Sequence, residues 1–347
     1  MGSGIKEEAA WRAVAELYHA YFTGIVLSST TRCGSARTAE LVYEVFAQQR
    51  SDKFLPGLQK LGIDGLPHAV AAAQYHYLSN HIGGVSVEYM PESDRKAWIR
   101  YAAPRWVWAG AAMCAVPSDV SKAMLRGWHA RNGVSLGNPR LGFVCTKQGV
   151  DGDSGLEGYY YEYDEDLEPH DRLRFARHED APDFDPDAAP KLPTDTWPTA
   201  RLAKAHRNYA IAYVQTAVPM AINLWGAEEA THVLGIAARM IGMQFYHDLC
   251  GILGHSPDGS AESFAAFLVA MLEGHGDKCT VAATPAGIEI RQSGWSFGRD
   301  LDPHPAIATI WARLFEGTLV AHNHRLALHV TDDFTWTISA NPRRPTS

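Results

Sequence analysis

The sequence lacks the long apolar runs and the cysteine motifs that several classes of protein require. No apolar run approaches the ~18 residues needed to cross a bilayer, and the start, MGSGIKEEAAW, has neither the basic nor the apolar region of a secretory signal. The five cysteines are odd in number, scattered and never in Cys-x-x-Cys spacing, so neither a disulfide framework nor a cysteine-rich zinc site is indicated. We therefore predict a cytoplasmic protein with no membrane partner.

The motifs that bind common cofactors are also missing. The sequence contains no Walker A motif, no Gly-x-Gly-x-x-Gly fingerprint, no Cys-x-x-Cys-His haem motif and no pyridoxal signature. The helical zinc motifs His-x-x-x-His and His-Glu-x-x-His are also absent. These absences predict that the protein uses no nucleotide cofactor.

Positive charge is scarce and negative charge is concentrated in one segment. The net charge is −8, and residues 151–190 hold fourteen acids against three arginines, so this segment carries −11 and the rest of the chain +3. Neither part offers the basic stripe that nucleic acids require. We therefore expect no nucleic-acid partner.

One phrase occurs twice in the chain. The first copy, LGNPRLGFVCT, starts at Leu136, and the second, AHNHRLALHVT, starts at Ala321. Three further pairs of segments match in the same order: 34–42 with 226–234, 54–62 with 246–254, and 80–100 with 274–291. Collinear matches with small changes of offset predict an internal tandem duplication. Asn138 and Asn323 would lie at a turn from helix to strand, in left-handed or capping geometry.

The pattern of apolar residues predicts an α+β fold in each copy. Helical spacing alternates with strand-like runs such as KAWIRYA, GYYYEYD and FTWTIS, so each copy would pack three to four helices on a small antiparallel sheet. We assign residues 5–165 to the first copy, 166–204 to an acidic, proline-rich linker and 205–340 to the second copy. The linker should be extended and lie over the surface, because it has too few apolar side chains for a core.

Two families resemble parts of this sequence. The order of helices, hairpin, helix and a final strand pair ending in FTWTI resembles the small ligand-binding domain of the 4-vinyl-reductase type. That resemblance implies a pocket for a small, often aromatic molecule and sometimes a cysteine zinc site, whose cysteines are absent after HVTDDFTW. The run NPRLGFVCT, followed by GLEGYYYEYDEDLEPHDRLRFARHED, resembles proteins grouped with L-2-amino-thiazoline-4-carboxylic acid hydrolase, which implies opening of a small C–N heterocycle.

Differences between the two copies indicate where chemistry would lie. The second copy has His247 and Asp248 where the first has Leu55 and Pro56. It also has additional histidines in the repeated phrase. Imidazole and carboxylate groups suit a divalent metal ion such as Zn or Fe, or a His–Asp pair that activates water. We predict as catalytic His247, Asp248 and His324; as metal ligands His247, His322 and His324; and as substrate-binding Trp295, Arg291, Tyr246, His275 and Trp106.

Several alternatives stay open at this stage. A cysteine nucleophile is one, with Cys33, Cys145 or Cys250 as the candidates. Each histidine also has a structural interpretation, as a surface residue or a satisfied core residue. The function we predict is a hydrolase or lyase acting on a small carboxylated or heterocyclic substrate, and the alternative is a non-catalytic small-molecule binding or sensing protein. A divalent metal and a homodimer are left open.

Overall fold

The computed structural model describes residues 2–102, 115–193 and 195–341. The chain separates into two compact units. The split unit comprises Met1–Ser28 and Ala203–Ser347, and the continuous unit is Ser29–Leu202. This division differs from the boundaries expected from the sequence, because most of the first helix belongs with the C-terminal half and residues 166–202 belong with the continuous unit.

The continuous unit contains helices and a five-stranded sheet. Its elements are the end of α1 (Gly2–Cys33), α2 (Ser35–Leu61), α3 (His68–Ile82), β1 (Val87–Ser93), β2 (Lys96–Ala102), α4 (Ser118–Gly127), α5 (Asn132–Ser135), β3 (Leu141–Lys147), β4 (Gly155–Glu162) and β5 (Leu173–Phe175). The strand order is β1-β2-β4-β3-β5. The first four strands are antiparallel, as predicted, whereas β5 joins β3 in parallel.

The split unit contains a four-stranded sheet. Its elements are most of α1, most of α6 (Thr199–Trp225), α7 (Ala227–Leu253), α8 (Ala261–His275), β6 (Lys278–Thr284), β7 (Gly287–Ser293), α9 (Pro305–His322), β8 (Leu326–Val330) and β9 (Thr335–Ala340). All neighbouring strands are antiparallel, in the order β6-β7-β9-β8. The mixed α/β class with small antiparallel sheets is thus confirmed. The duplication itself stays a prediction.

Glycines set the ends of the two long helices that the sequence matches pair together. α2 follows Gly34 (φ 86°) and ends at Gly62 (φ 69°), and α7 follows Gly226 (φ 82°) and ends at Gly254 (φ 64°). Positive φ favours glycine, because it has no Cβ to clash with the backbone. Glycine therefore marks both ends of each of these two helices.

The repeated Asn-x-Arg-Leu phrase closes a turn before a strand in both units. The Asn138 side-chain oxygen accepts a bond from the Arg140 amide at 3.0 Å, and the Asn323 oxygen accepts one from the Arg325 amide at 2.9 Å. This is the side-chain turn that asparagine forms readily. Of the two geometries expected for these residues, left-handed or capping, Asn323 has the second: it caps the C-terminal end of α9 at φ −160°. In the first copy Gly137 (φ 66°) takes the left-handed conformation.

Most of the acidic, proline-rich segment predicted to be a surface linker (166–204) belongs to the continuous unit, which ends at Leu202. Phe184, Ala176 and Ala181 pack against a buried cluster on the sheet that includes Trp98 and Tyr159. Trp197 is also buried. Local sequence patterns do not reveal this packing, because they do not show that an apolar sheet face has to be covered. Within the segment, Arg177 pairs with Asp151 at 2.5 Å.

No helix among the described residues is long and apolar enough to span a membrane.

Close packing of α7 on α9 gives a first testable prediction. A Cβ added at Gly242 would lie 2.0 Å from the Leu314 carbonyl oxygen of α9. Gly242→Ala should therefore lower the free energy of unfolding by about 1–3 kcal/mol, measured by urea unfolding. Gly251→Ala on the same helix is the control: a Cβ there meets nothing within 4 Å, so this variant should be more stable by about 0.5–1 kcal/mol. Equal effects of the two changes would contradict the packing.

Candidate functional site

The structure exposes the residues predicted to be catalytic. His247 and Asp248 are exposed on α7, and His324 is exposed in the turn before β8. Among the described residues, no group of three or more His, Cys, Asp or Glu side chains is placed to hold a metal ion. The set His247, His322 and His324, on α7, at the end of α9 and in the following turn, is therefore not assembled as a metal site.

Two residues predicted for different roles, Tyr246 and His322, do contact each other. The Tyr246 hydroxyl lies 2.6 Å from Nδ1 of His322, and Nε2 of His322 lies 2.8 Å from the Ser260 carbonyl oxygen. Because a carbonyl only accepts, His322 carries its proton on Nε2 and Nδ1 accepts from Tyr246. Burial lowers the pKa of His322 and raises the pKa of Tyr246. Both side chains are neutral and their hydrogen-bonding atoms are committed, so these bonds fix the end of α9 against α7 and the start of α8.

The predicted substrate-binding residues also divide into two groups. Arg291 is exposed and pairs with Glu289 at 2.8 Å, whereas its neighbours Ile290 and Gln292 are buried. Successive strand residues point to opposite sides of a sheet, so Arg291 points away from the helices. Trp106 lies outside the described residues. His275 and Trp295, by contrast, belong to one aromatic cluster in the split unit.

The centre of this aromatic cluster is a hydrogen-bonded triad. The Tyr18 hydroxyl of α1 lies 2.9 Å from Nε2 of His275 and accepts a bond from the Trp311 indole at 2.6 Å. Nδ1 of His275 lies 2.7 Å from the Met271 carbonyl. The carbonyl can only accept, so His275 carries its proton on Nδ1, and the Tyr18 hydroxyl donates to Nε2. All three side chains are buried, with every hydrogen-bonding atom of the triad used.

Burial keeps this triad uncharged. It lowers the pKa of His275 from 6.5 to about 4 and raises the pKa of Tyr18 well above 10. Desolvation disfavours the charged form of each side chain, and the positive charge of Arg207 lowers the pKa of His275 further. His275 is therefore a neutral core residue at physiological pH.

Aromatic side chains surround the triad on the sheet side. Trp311 stacks on Phe297, with ring centroids 6.1 Å apart, and makes an edge contact with Trp336 at 5.6 Å. Trp295 lies 5.8 Å from Trp311 and 4.9 Å from Phe334. Phe297 and Trp336 are buried, whereas Trp295 and Phe334 are partly exposed and form the solvent-facing edge of the aromatic cluster.

A chain of hydrogen bonds fixes the loop that carries Trp295. Asp277 accepts bonds from the Ser296 amide and from Gln292, both at 2.8 Å, and Gln292 in turn accepts from the Trp336 indole at 2.8 Å. Burial raises the pKa of Asp277, and these hydrogen bonds oppose that effect. Charge-assisted bonds of this kind hold a loop more firmly than neutral ones. The position of Trp295 is therefore set by its neighbours in the loop.

Two features of this edge are energetically unfavourable. Phe334 has φ 58°, the only positive φ of a non-glycine residue in the described part of the chain. Such a conformation costs about 1–2 kcal/mol for a residue with a Cβ. The indole N–H of Trp295 is shielded from solvent and has no hydrogen-bond partner among the described residues. A buried donor without an acceptor costs about 1–3 kcal/mol.

Sequence reasoning missed Tyr18 and Phe334 at this site. Tyr18 lies in the first helix, which the sequence matches assigned to the other copy. Phe334 could have been found, because TDDF joins two predicted strands and hairpins of this length often need one left-handed residue.

The continuous unit has its own buried histidine cluster. His129 lies 2.7 Å from the Tyr160 hydroxyl, and His76 lies 3.1 Å from the Tyr101 hydroxyl. Asn132 donates to His76 at 3.0 Å and to Tyr160 at 2.9 Å. None of these residues was singled out from the sequence, because they lie in the copy with fewer histidines in its matched segments. The hydrogen bonds that they share identify them as a polar core.

Comparisons of the chain with family models, curated proteins and solved structures found no match.

The neutral state of His275 gives a second prediction. Because its pKa is lower in the folded chain than the ordinary 6.5, the unfolded chain binds the proton more readily. Its contribution to stability is complete above pH 6.5 and is lost as pH falls towards 4, by on the order of 3 kcal/mol. Urea unfolding at pH 7 and pH 4.5 should show a smaller pH effect in His275→Gln than in the wild type. An unchanged pH effect would show that His275 is not buried and neutral.

Proposed function

We propose that the split unit binds a small planar aromatic molecule carrying a hydrogen-bond acceptor, at the edge formed by Trp295 and Phe334. The observation that carries this proposal is the unpartnered indole N–H of Trp295 on a partly exposed ring. An acceptor that reaches this N–H would offset the cost of its desolvation. A flat ring against the exposed part of Trp295 would also replace exposed aromatic surface with an aromatic contact.

The backbone of Phe334 supports the same proposal. Backbone strain of this kind is concentrated at functional sites, where the surrounding structure holds it in place. The Phe334 amide donates to Thr331 at 2.9 Å and its carbonyl accepts from the Gln292 amide at 3.2 Å, so both backbone groups are fixed. The strained backbone places the phenyl ring beside Trp295. A glycine at this position would remove the strain and also one wall of the site.

The loop also packs closely against the Trp295 ring at Gly298. A Cβ added at Gly298 would lie 2.1 Å from the Trp295 ring. Only a residue without a side chain therefore allows the loop to approach the indole so closely. This contact holds the orientation of the indole ring. The other surfaces of the ring face Phe334, Phe297 and the proposed ligand.

The hydrolase or lyase hypothesis has weaker support. Catalysis by His247, Asp248 and His324 would need these side chains to converge on one substrate, whereas all three are exposed to solvent, two on α7 and one in the turn before β8. Activation of water by His322 would require it to release Tyr246 or Ser260. Binding without catalysis needs neither step, and we therefore favour it.

We also infer that the two units descend from one duplicated unit. Three features support this: the equivalent strand orders, the asparagine turns of Asn138 and Asn323, and the glycine-bounded helices α2 and α7. In this interpretation one copy acquired the aromatic edge, and the other kept a closed polar core.

Two isosteric probes test the proposed function. Quinoline and naphthalene have the same shape, but only the ring nitrogen of quinoline can accept a hydrogen bond. Calorimetric titration at neutral pH should show about three- to tenfold tighter binding of quinoline, the effect of one net hydrogen bond. Trp295→Phe should remove this preference and weaken binding of both probes.

Trp128→Phe is the matched control. The Trp128 indole N–H is also buried and has no partner within the described ranges, but it lies in the continuous unit, and the residue is only 7% exposed. This variant should keep the preference for quinoline. Equal affinity for the two probes in the wild type, or a preference that survives in Trp295→Phe, would rule out the proposed site.

A further inference from the structure

The continuous unit holds two arginines close together without a carboxylate between them. Arg50 lies on α2 and donates through one terminal nitrogen to the Ser135 hydroxyl. Arg131 follows α4 and donates to the Tyr43 hydroxyl at 2.6 Å. In the part of the chain that the structure describes, neither guanidinium forms an ion pair with an acidic side chain. Their partners are therefore neutral hydroxyl groups.

The packing of α4 on α2 explains why these side chains meet. A Cβ at Gly127 would lie 2.5 Å from the Tyr43 carbonyl oxygen, so the two helix backbones are almost in contact there. Tyr43 and Arg50 are seven residues apart and share one face of α2. Arg131 and Ser135 follow the end of α4 directly. The close crossing thus brings two cations and two hydroxyl groups to one place.

The electrostatics of this cluster are unfavourable in the absence of an anion. Burial and the positive charge of Arg131 lower the pKa of Arg50. The Nε atom of Arg50 is shielded from solvent and has no hydrogen-bond partner among the described residues. Two like charges with an unused donor between α2 and the end of α4 would be stabilised by an anion that accepts from both guanidinium groups.

The equivalent helix pair of the split unit shows how such arginines are otherwise neutralised. There Arg239 of α7 and Arg313 of α9 both pair with Glu316, at 3.0 and 2.6 Å. A Cβ at Gly317 of α9 would lie 2.1 Å from the Arg239 carbonyl oxygen, so this helix crossing is also very close. The split unit supplies its own carboxylate at the crossing, whereas the described residues of the continuous unit supply none to Arg50 or Arg131.

We propose that Arg50, Arg131, Tyr43 and Ser135 form a binding site for a phosphate group, either free or carried by a small molecule. A phosphate dianion has enough oxygens to accept from two guanidinium groups and two hydroxyls together. The paired N–H donors of a guanidinium group match the spacing of phosphate oxygens. The ammonium group of lysine cannot make this paired contact. The site is separate from the aromatic edge of Trp295 and does not depend on the function proposed there.

Calorimetric titration with inorganic phosphate and with phenyl phosphate tests this proposal, with sodium chloride at matched ionic strength as the control. We expect both phosphates to bind the wild type and chloride to give no binding. Tighter binding of phenyl phosphate would identify a phosphorylated small molecule as the ligand, and tighter binding of inorganic phosphate would identify free phosphate. Arg50→Met should weaken binding at least tenfold. Arg313→Met, which removes a paired arginine in the other unit, should leave phosphate affinity unchanged.

Ser135→Glu keeps the proposal testable if Arg50→Met does not fold. This change places a carboxylate beside Arg50, as Glu316 lies beside Arg239 and Arg313 in the split unit. It should abolish phosphate binding and raise the melting temperature of the ligand-free protein. Absence of phosphate binding to the folded wild type, or phosphate affinity that is unchanged in Ser135→Glu, would overturn the proposal.

Discussion

A buried polar side chain must find its hydrogen-bond partners inside the protein. The Tyr18 hydroxyl is the partner of two buried side chains, His275 and Trp311. It donates to His275 and accepts from Trp311, so it joins α1, α8 and α9 of the split unit. Removing it would leave a buried imidazole nitrogen and a buried indole N–H without partners, which costs far more than a hydrogen bond contributes on average. The aromatic cluster is built on this neutral triad.

Hydrogen-bond satisfaction also distinguishes the core of the split unit from the edge formed by Trp295 and Phe334. Inside the split unit, Asp277, Gln292 and Trp336 satisfy one another through a continuous chain of hydrogen bonds. At the edge, the Trp295 indole has no hydrogen-bond partner in the part of the chain that the structure describes, and the Phe334 backbone is strained. Both lie on partly exposed aromatic residues that contact each other, which is where an incoming ligand could use them.

The sequence predicted the helices and hairpins well, because their signals are local. The glycines around α2 and α7 and the alternating strands KAWIRYA and GYYYEYD specify their own conformations. The site was predicted only in part. His275 and Trp295 were identified, but the comparison of the two copies gave most weight to His247 and His324, which are exposed. Exposure depends on which elements pack together, and the packing of α1 beside α8 and α9 could not be read from local patterns.

Nuclear magnetic resonance of the indole protons tests the central claim most directly. In protein labelled with 15N, the Trp295 indole signal can be assigned by its loss in Trp295→Phe. We predict that quinoline moves this signal downfield, whereas naphthalene, which brings a similar ring current but no acceptor, does not. The Trp311 and Trp336 indoles already have acceptors and should keep their positions in this comparison. A Trp295 signal that responds equally to both probes, or to neither at high concentration, would contradict the account.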